Sequence, residues 1–127
     1  MRLIVVRHAK AVPGTPDALR PLAPKGRRAA AALARELRAS SPDAVISSPL
    51  LRAVETAAPI AEAAGVDVEI NARLAPGATA DDIRAAVAGH GETVVTVGHQ
   101  PDCSAIVFEL TGRDVEFPTA GFYEVEL

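Results

Sequence analysis

Residues 2–10 read Arg-Leu-Ile-Val-Val-Arg-His-Ala-Lys, RLIVVRHAK. The four apolar residues at 3–6 are β-branched or γ-branched and unbroken, with no polar alternation. A strand half exposed to water alternates; a strand covered on both faces does not, and that is the habit of parallel sheets. The run therefore predicts a buried parallel strand that ends abruptly in the basic turn Arg7, His8 and Lys10.

Two further runs, residues 44–46 (AVI) and 93–97 (TVVTV), repeat the pattern. Helical stretches lie between them. About residues 25–39 place Ala29, Ala30, Leu33, Ala34 and Leu37 on one stripe, and about residues 49–64 form a second helix, with Ser48 as N-cap and Pro49 as first helical residue. A short helix is expected at about residues 81–88 and another at about 101–110, with a weak strand before the first of these. The C-terminal GFYEVEL sets Tyr123, Val125 and Leu127 against Glu124 and Glu126, the period of a strand with one wetter face. Strands alternating with helices define an α/β fold, here a three-layer α/β/α sandwich with a mainly parallel sheet and an antiparallel C-terminal edge strand.

The chain has 127 residues, which suits a single domain spanning 1–127. Hydrophobic residues make up 49% and aromatic ones only 3%, so the core is expected from Ala, Val, Leu and Ile. A net charge of −3 argues against a nucleic-acid binder, so any bound anion must be captured locally. The lone Cys103 has no internal disulfide partner, and no Cys/His cluster has zinc spacing. Neither a signal-peptide core nor an apolar run of about 20 residues is present, and the expectation is a cytoplasmic protein without a metal or organic cofactor.

Three polar groups share one place in this topology, just after an apolar strand: Arg7 and His8, then Ser47 to Arg52, then His99. Open parallel sheets bind ligands outside the carboxyl ends of their strands, so adjacent parallel strands would bring Arg7, His8, Arg52 and His99 into one crevice. Two arginines and two histidines, with no carboxylate beside them in the sequence, suit a phosphate better than an ion-pair network. Arginine's planar fork donates two parallel hydrogen bonds to a phosphate, and Arg52 falls in the first turn of its helix, where free N–H groups favour an anion. Nearby guanidinium groups disfavour protonation of a histidine, which leaves a ring nitrogen able to attack phosphorus. The second histidine can donate to phosphoryl oxygens as charge moves in the transition state.

The stretches VVRHAKA, RPLAPKGRRAA, ISSPLLRAVETA and TVGHQPD resemble the signature blocks of the histidine phosphatase (phosphoglycerate mutase-like) superfamily, in order and across the whole chain. The short chain is most similar to the SixA-like phosphohistidine phosphatase branch. The resemblance implies His8 as the nucleophile that becomes phosphorylated, with Arg7, Arg52 and His99 completing the phosphate pocket. It matches Arg20, Leu22 and Gly26 to the stretch leading into the first helix, and Arg20, Gln100 and Lys10 are further candidate substrate contacts.

Two departures from the superfamily pattern stand out. Ala9 replaces the glycine that usually follows the nucleophile, as is typical of SixA-like members. No carboxylate occupies a proton donor's position: Gln100 follows His99, and the middle of the chain offers only Asp81 and Asp82. An alkoxide leaving group gains about 100-fold to 10,000-fold from a positioned acid. A phosphohistidine instead takes a proton from solvent beforehand and leaves as neutral imidazole. The resemblance thus implies hydrolysis of phosphohistidine on a partner protein at an open site without the lid insertions of larger relatives; a nucleotide or sugar phosphate monoesterase and a non-catalytic phosphate-binding module are the alternatives.

Plainer roles are expected elsewhere. His90 is a loop histidine, Cys103 packs as a small apolar residue at a helix start, and Asp81, Asp82, Glu124 and Glu126 are solvated or begin a helix. Alone, Arg52 would be a helix arginine pairing with Glu55 or Thr56.

Overall fold

A computed structural model describes all 127 residues. Five strands form one sheet in the order β3-β2-β4-β1-β5. They are β1 (Arg2–Arg7), β2 (Ala44–Ser47), β3 (Val68–Ile70), β4 (Thr93–Gly98) and β5 (Phe122–Glu126). The first four run parallel, and β5 pairs antiparallel with β1 at the edge. Four α-helices connect them: α1 (Pro24–Leu37), α2 (Leu51–Ala64), α3 (Ala80–Val87) and α4 (Asp102–Thr111).

The unalternating strands are covered on both faces, as their sequence requires. On one face Ile4, Val6, Val45, Val95 and Val97 pack against Leu33, Ala34 and Leu37 of α1 and Ala53, Ala57, Ile60 and Ala61 of α2. On the other, Leu3, Val5, Ile46 and Val94 meet Ile83, Ala86 and Val87 of α3 and Cys103, Ile106 and Val107 of α4. Alternate residues of each strand thus feed opposite layers, which is the expected three-layer α/β/α sandwich. Alanines on α1 and α2 let those helices lie close to the sheet, and the scarcity of rings costs the core nothing in continuity.

Each helix end has a readable cause, with one revision. Pro24 opens α1 at a position where its missing N–H is no loss. Thr79 and Asp82 form a reciprocal capping box on α3, so the acidic pair there begins a helix as expected. Helix α2, however, starts at Leu51 rather than Pro49, and Ser48 is not its N-cap. Residues 48–50 stay outside the helix: Ser48 Oγ accepts from the Leu50 N–H and also bonds His99, while Leu50, with extended backbone, takes the capping position. Arg52 remains in the first turn.

This topology places the site. Strand β4 lies between β2 and β1, so the carboxyl ends of three neighbouring parallel strands meet, with Arg7 level with Gly98 and Ser47 level with Val97. The long segment from His8 to Ala23 then folds back beside that rim. Its ends are joined by the Ala11–Leu22 bridge and by Ala23 N–H donating to the Lys10 carbonyl.

Candidate active site

Backbone hydrogen bonds fix the positions of both histidines. His8 N–H donates to the Gly98 carbonyl at 3.0 Å, and the His8 carbonyl accepts from Ala120 at 3.1 Å. Their rings lie with centroids 5.2 Å apart and planes tilted by 55°. Arg7 and Arg52 flank them, the latter almost fully buried. The structure therefore brings together the four residues Arg7, His8, Arg52 and His99 that the sequence singled out.

The His8 ring is held in one tautomer. Its Nδ1 lies 2.7 Å from the Ala9 carbonyl oxygen, which can only accept, so Nδ1 carries the proton and Nε2 keeps its lone pair. Burial is the largest cause lowering the His8 pKa; the hydrogen bond to Ala9 opposes it, and the charges of Arg52, Arg7 and Arg20 lower it further. The neighbouring guanidinium groups thus act in the expected direction but rank behind desolvation. The result is a neutral imidazole at neutral pH with a free nitrogen.

His99 is pushed further, to about 4, first by burial and then by His8 and Arg52, with Asp17 opposing. Its Nε2 lies 2.7 Å from Ser48 Oγ. Because Ser48 Oγ already accepts from Leu50 N–H at 3.2 Å, its own proton is available to Nε2, and the ring proton then sits on Nδ1. His99 Nδ1 and Arg7 Nε are buried without a protein partner, while Arg7 Nη1 donates to the Phe117 carbonyl at 2.9 Å. Buried donors without partners are rare in folded chains and are commonly completed by a ligand or by water.

Three residues of the α2 first turns hold the His8-bearing loop. Thr56 Oγ1 accepts from Ala9 N–H and donates to the Arg52 carbonyl, and Glu55 accepts from Leu22 N–H and pairs with Arg27. Arg52 pairs with neither Glu55 nor Thr56 through its side chain. It reaches across to Asp17 instead, donating from Nη1 to the backbone oxygen at 3.0 Å and from Nη2 to Oδ2 at 3.2 Å.

Asp17 and Ser48 are the functional candidates missed as such in the sequence. Asp17 sits in a short turn 35 positions from Arg52, and nothing local distinguishes it from any loop aspartate. Ser48 has the composition of a helix cap, yet its position at a strand end, like those of His8 and His99, is a usable signal. Among the further contacts, Arg20 donates from Nε to the Val12 carbonyl and from Nη1 to Asp17 Oδ1, which holds it beside Asp17. Lys10 is exposed. The Gln100 side chain exchanges two hydrogen bonds with Ser104 in the first turn of α4, where a free first-turn N–H needs a partner. Asp82 is bound to Thr79 and Arg73. His90 pairs with Glu69 on the surface, and Cys103 is buried, its thiol pushed up to about 12 chiefly by burial.

The rim of this α/β sheet thus carries two arginines and two histidines of lowered pKa, a donor set suited to a phosphoryl group. Residues 3–76 match the histidine phosphatase superfamily (branch 1), and the chain belongs to that superfamily. An uncharacterized protein of Mycobacterium tuberculosis is 36% identical over 136 residues, covering 91% of this chain and 83% of that protein. A phosphohistidine phosphatase SixA from Nakamurella multipartitia superposes with a TM-score of 0.79 at 33% identity, over 97% of this chain and 82% of that one. The protein histidine phosphatase SixA complexed with tungstate superposes at 0.88 with 24% identity, over 100% and 88%. A mycobacterial glucosyl-3-phosphoglycerate phosphatase superposes at 0.79 with 21% identity, over 98% and 90%. The last two similarities, at these identities, concern the fold.

Membership supports phosphatase chemistry for this chain. No helix is long and apolar enough to cross a membrane.

Proposed function

We propose that residues 1–127 act as one domain, in the cytoplasm, that hydrolyses phosphohistidine on a partner protein through a covalent phosphohistidine at His8. The observation that carries this is the His8 ring, with Nδ1 committed to Ala9 and Nε2 free beside Arg7 and Arg52. Nε2 attacks the phosphorus, the Nε2–P bond forms as the bond to the leaving group breaks, and the leaving imidazole keeps the proton it took from solvent. Water then attacks the same phosphorus, releasing phosphate and returning the electron pair to Nε2. Arg7, Arg52 and His99 Nδ1 donate to the phosphoryl oxygens throughout, where oriented donors in a dry site are worth most.

The leaving-group preference rests on Asp17. Hydrogen bonds from Arg20 and then Arg52 hold its carboxyl below the usual range, so at neutral pH it is ionised and offers no proton. A leaving group that must be protonated in the transition state is poorly served here; imidazole is well served. The likeness to SixA proteins supports the same reading. The glucosyl-3-phosphoglycerate phosphatase neighbour favours a second one, a monoesterase of small sugar phosphates.

The two separate in one assay. Phosphoramidate-phosphorylated histidine protein and a panel of sugar phosphates are offered at equal concentration, and phosphate release is followed. Release from the histidine protein should be at least about 100-fold faster, the lower end of what one missing general acid costs; a sugar phosphate turned over faster would establish the other.

A further inference from the structure

Arg52 already has an anion before any substrate arrives. Its side chain is only 9% exposed, and such a charge needs a partner; Asp17, 64% exposed, supplies one from the surface. The carboxylate is fixed from two sides, Oδ2 on Arg52 at 3.2 Å and Oδ1 on Arg20 at 3.0 Å. Arg20 is itself anchored at 2.7 Å to the Val12 carbonyl. Asp17 is therefore a placed charge, held at the border between the buried arginine and solvent.

A guanidinium has five N–H groups, and Asp17 occupies one on Nη1 and one on Nη2, leaving three to receive a phosphoryl group. Phosphoryl and carboxylate then share one guanidinium and stand a few ångströms apart. With a phosphoryl group on the rest of Arg52 and with Arg20 held by Asp17 and Val12, a further anion on the substrate near the phosphoryl meets the Asp17 carboxylate. A neutral or cationic leaving group meets a favourable charge.

We propose that Asp17 is a specificity-determining residue, a fixed carboxylate that disfavours phosphoryl compounds bearing a second anionic group beside the phosphoryl and favours those whose leaving group is neutral or cationic. The inference rests on the phosphoryl pocket of the proposed function and narrows its substrate class to phosphoramidates of the imidazole kind. Like charges on opposite sides of a contact are a common way to reject a wrong ligand.

Glycerol 3-phosphate and 3-phosphoglycerate differ chiefly by a carboxylate and make a matched pair. Their dissociation constants are measured by calorimetry at low salt on wild type, Asp17→Asn and Asp17→Glu. Wild type should bind glycerol 3-phosphate more tightly, and Asp17→Asn should cut that preference about fivefold, the upper scale of one solvent-exposed charge pair. Asp17→Glu should keep the preference, and 0.5 M salt should shrink it in wild type. An unchanged preference in Asp17→Asn overturns the proposal, as does equal weakening of both ligands, which would make Asp17 only a brace for Arg52. Failure of wild type to bind either ligand would instead overturn the phosphoryl pocket itself. If the preference shifts while phosphohistidine protein is not hydrolysed, the charge filter stands and the substrate reading falls.

Discussion

The site works through single atoms whose freedom has been removed. In the proposed mechanism His8 acts as a nucleophile because the Ala9 carbonyl has claimed its other nitrogen, and His99 is steered by Ser48 in the same way. Ser48 thus has a role that its own chemistry would not announce. Replacing it with alanine removes one hydrogen bond to His99, the residue proposed to donate to the phosphoryl group, so kcat/KM should fall about tenfold while the Tm moves little. Threonine at this position keeps the hydroxyl and should restore most of the loss. A Ser48→Ala enzyme with unchanged kcat/KM would show that His99 needs no such support. The residues with chemistry of their own, Arg7, His8, Arg52 and His99, were legible because each follows a strand or opens a helix. Asp17 was not, since its meaning comes from a contact across 35 positions of chain.

At the level of elements, the loop between β1 and α1 is the part that must fit. Helix α1 approaches the Lys10 backbone so closely at Gly26 that a Cβ there would overlap the Lys10 carbonyl oxygen. That carbonyl also accepts from Ala23, so it cannot retreat without loosening the loop that follows His8. A glycine inside a helix ordinarily gains stability on replacement by alanine, about 1 kcal/mol. Here the sign reverses: Gly26→Ala should cost about 1–3 kcal/mol, as overpacking does, and should lower activity through displacement of His8. Urea unfolding measures the first and turnover the second; a stabilised, fully active variant would contradict the packing. The central strands and the antiparallel β5 were readable from apolar runs and from alternation. Helix α2 starts two residues later than the composition of Ser48-Pro49 suggests, because Ser48 is held outside it by its bonds to Leu50 and His99.

For the whole molecule, the site is a stability liability in acid. His99 has its pKa lowered to about 4 when folded against an ordinary 6.5, and His8 is lowered as well, so the unfolded chain binds more protons between those values. Stability is therefore full above about pH 6.5 and is lost as pH falls through about 4. For His99 alone the loss between pH 7.5 and pH 5 is about 2 kcal/mol. His90, raised by Glu69, acts in the opposite sense but is exposed. Urea titrations at the two pH values should show the loss in wild type and a much smaller one in His99→Gln; an equal loss in both would place its origin elsewhere.

The covalent step is the centre of this account. Incubation of the protein with a radiolabelled phosphoryl donor, rapid quenching in base and mapping of the labelled peptide test it most directly. A base-stable, acid-labile phosphate is expected on the peptide holding His8, absent from His8→Ala, whose turnover should fall more than about 1,000-fold. Turnover by His8→Ala at the wild-type rate, or label on a different residue, would contradict it.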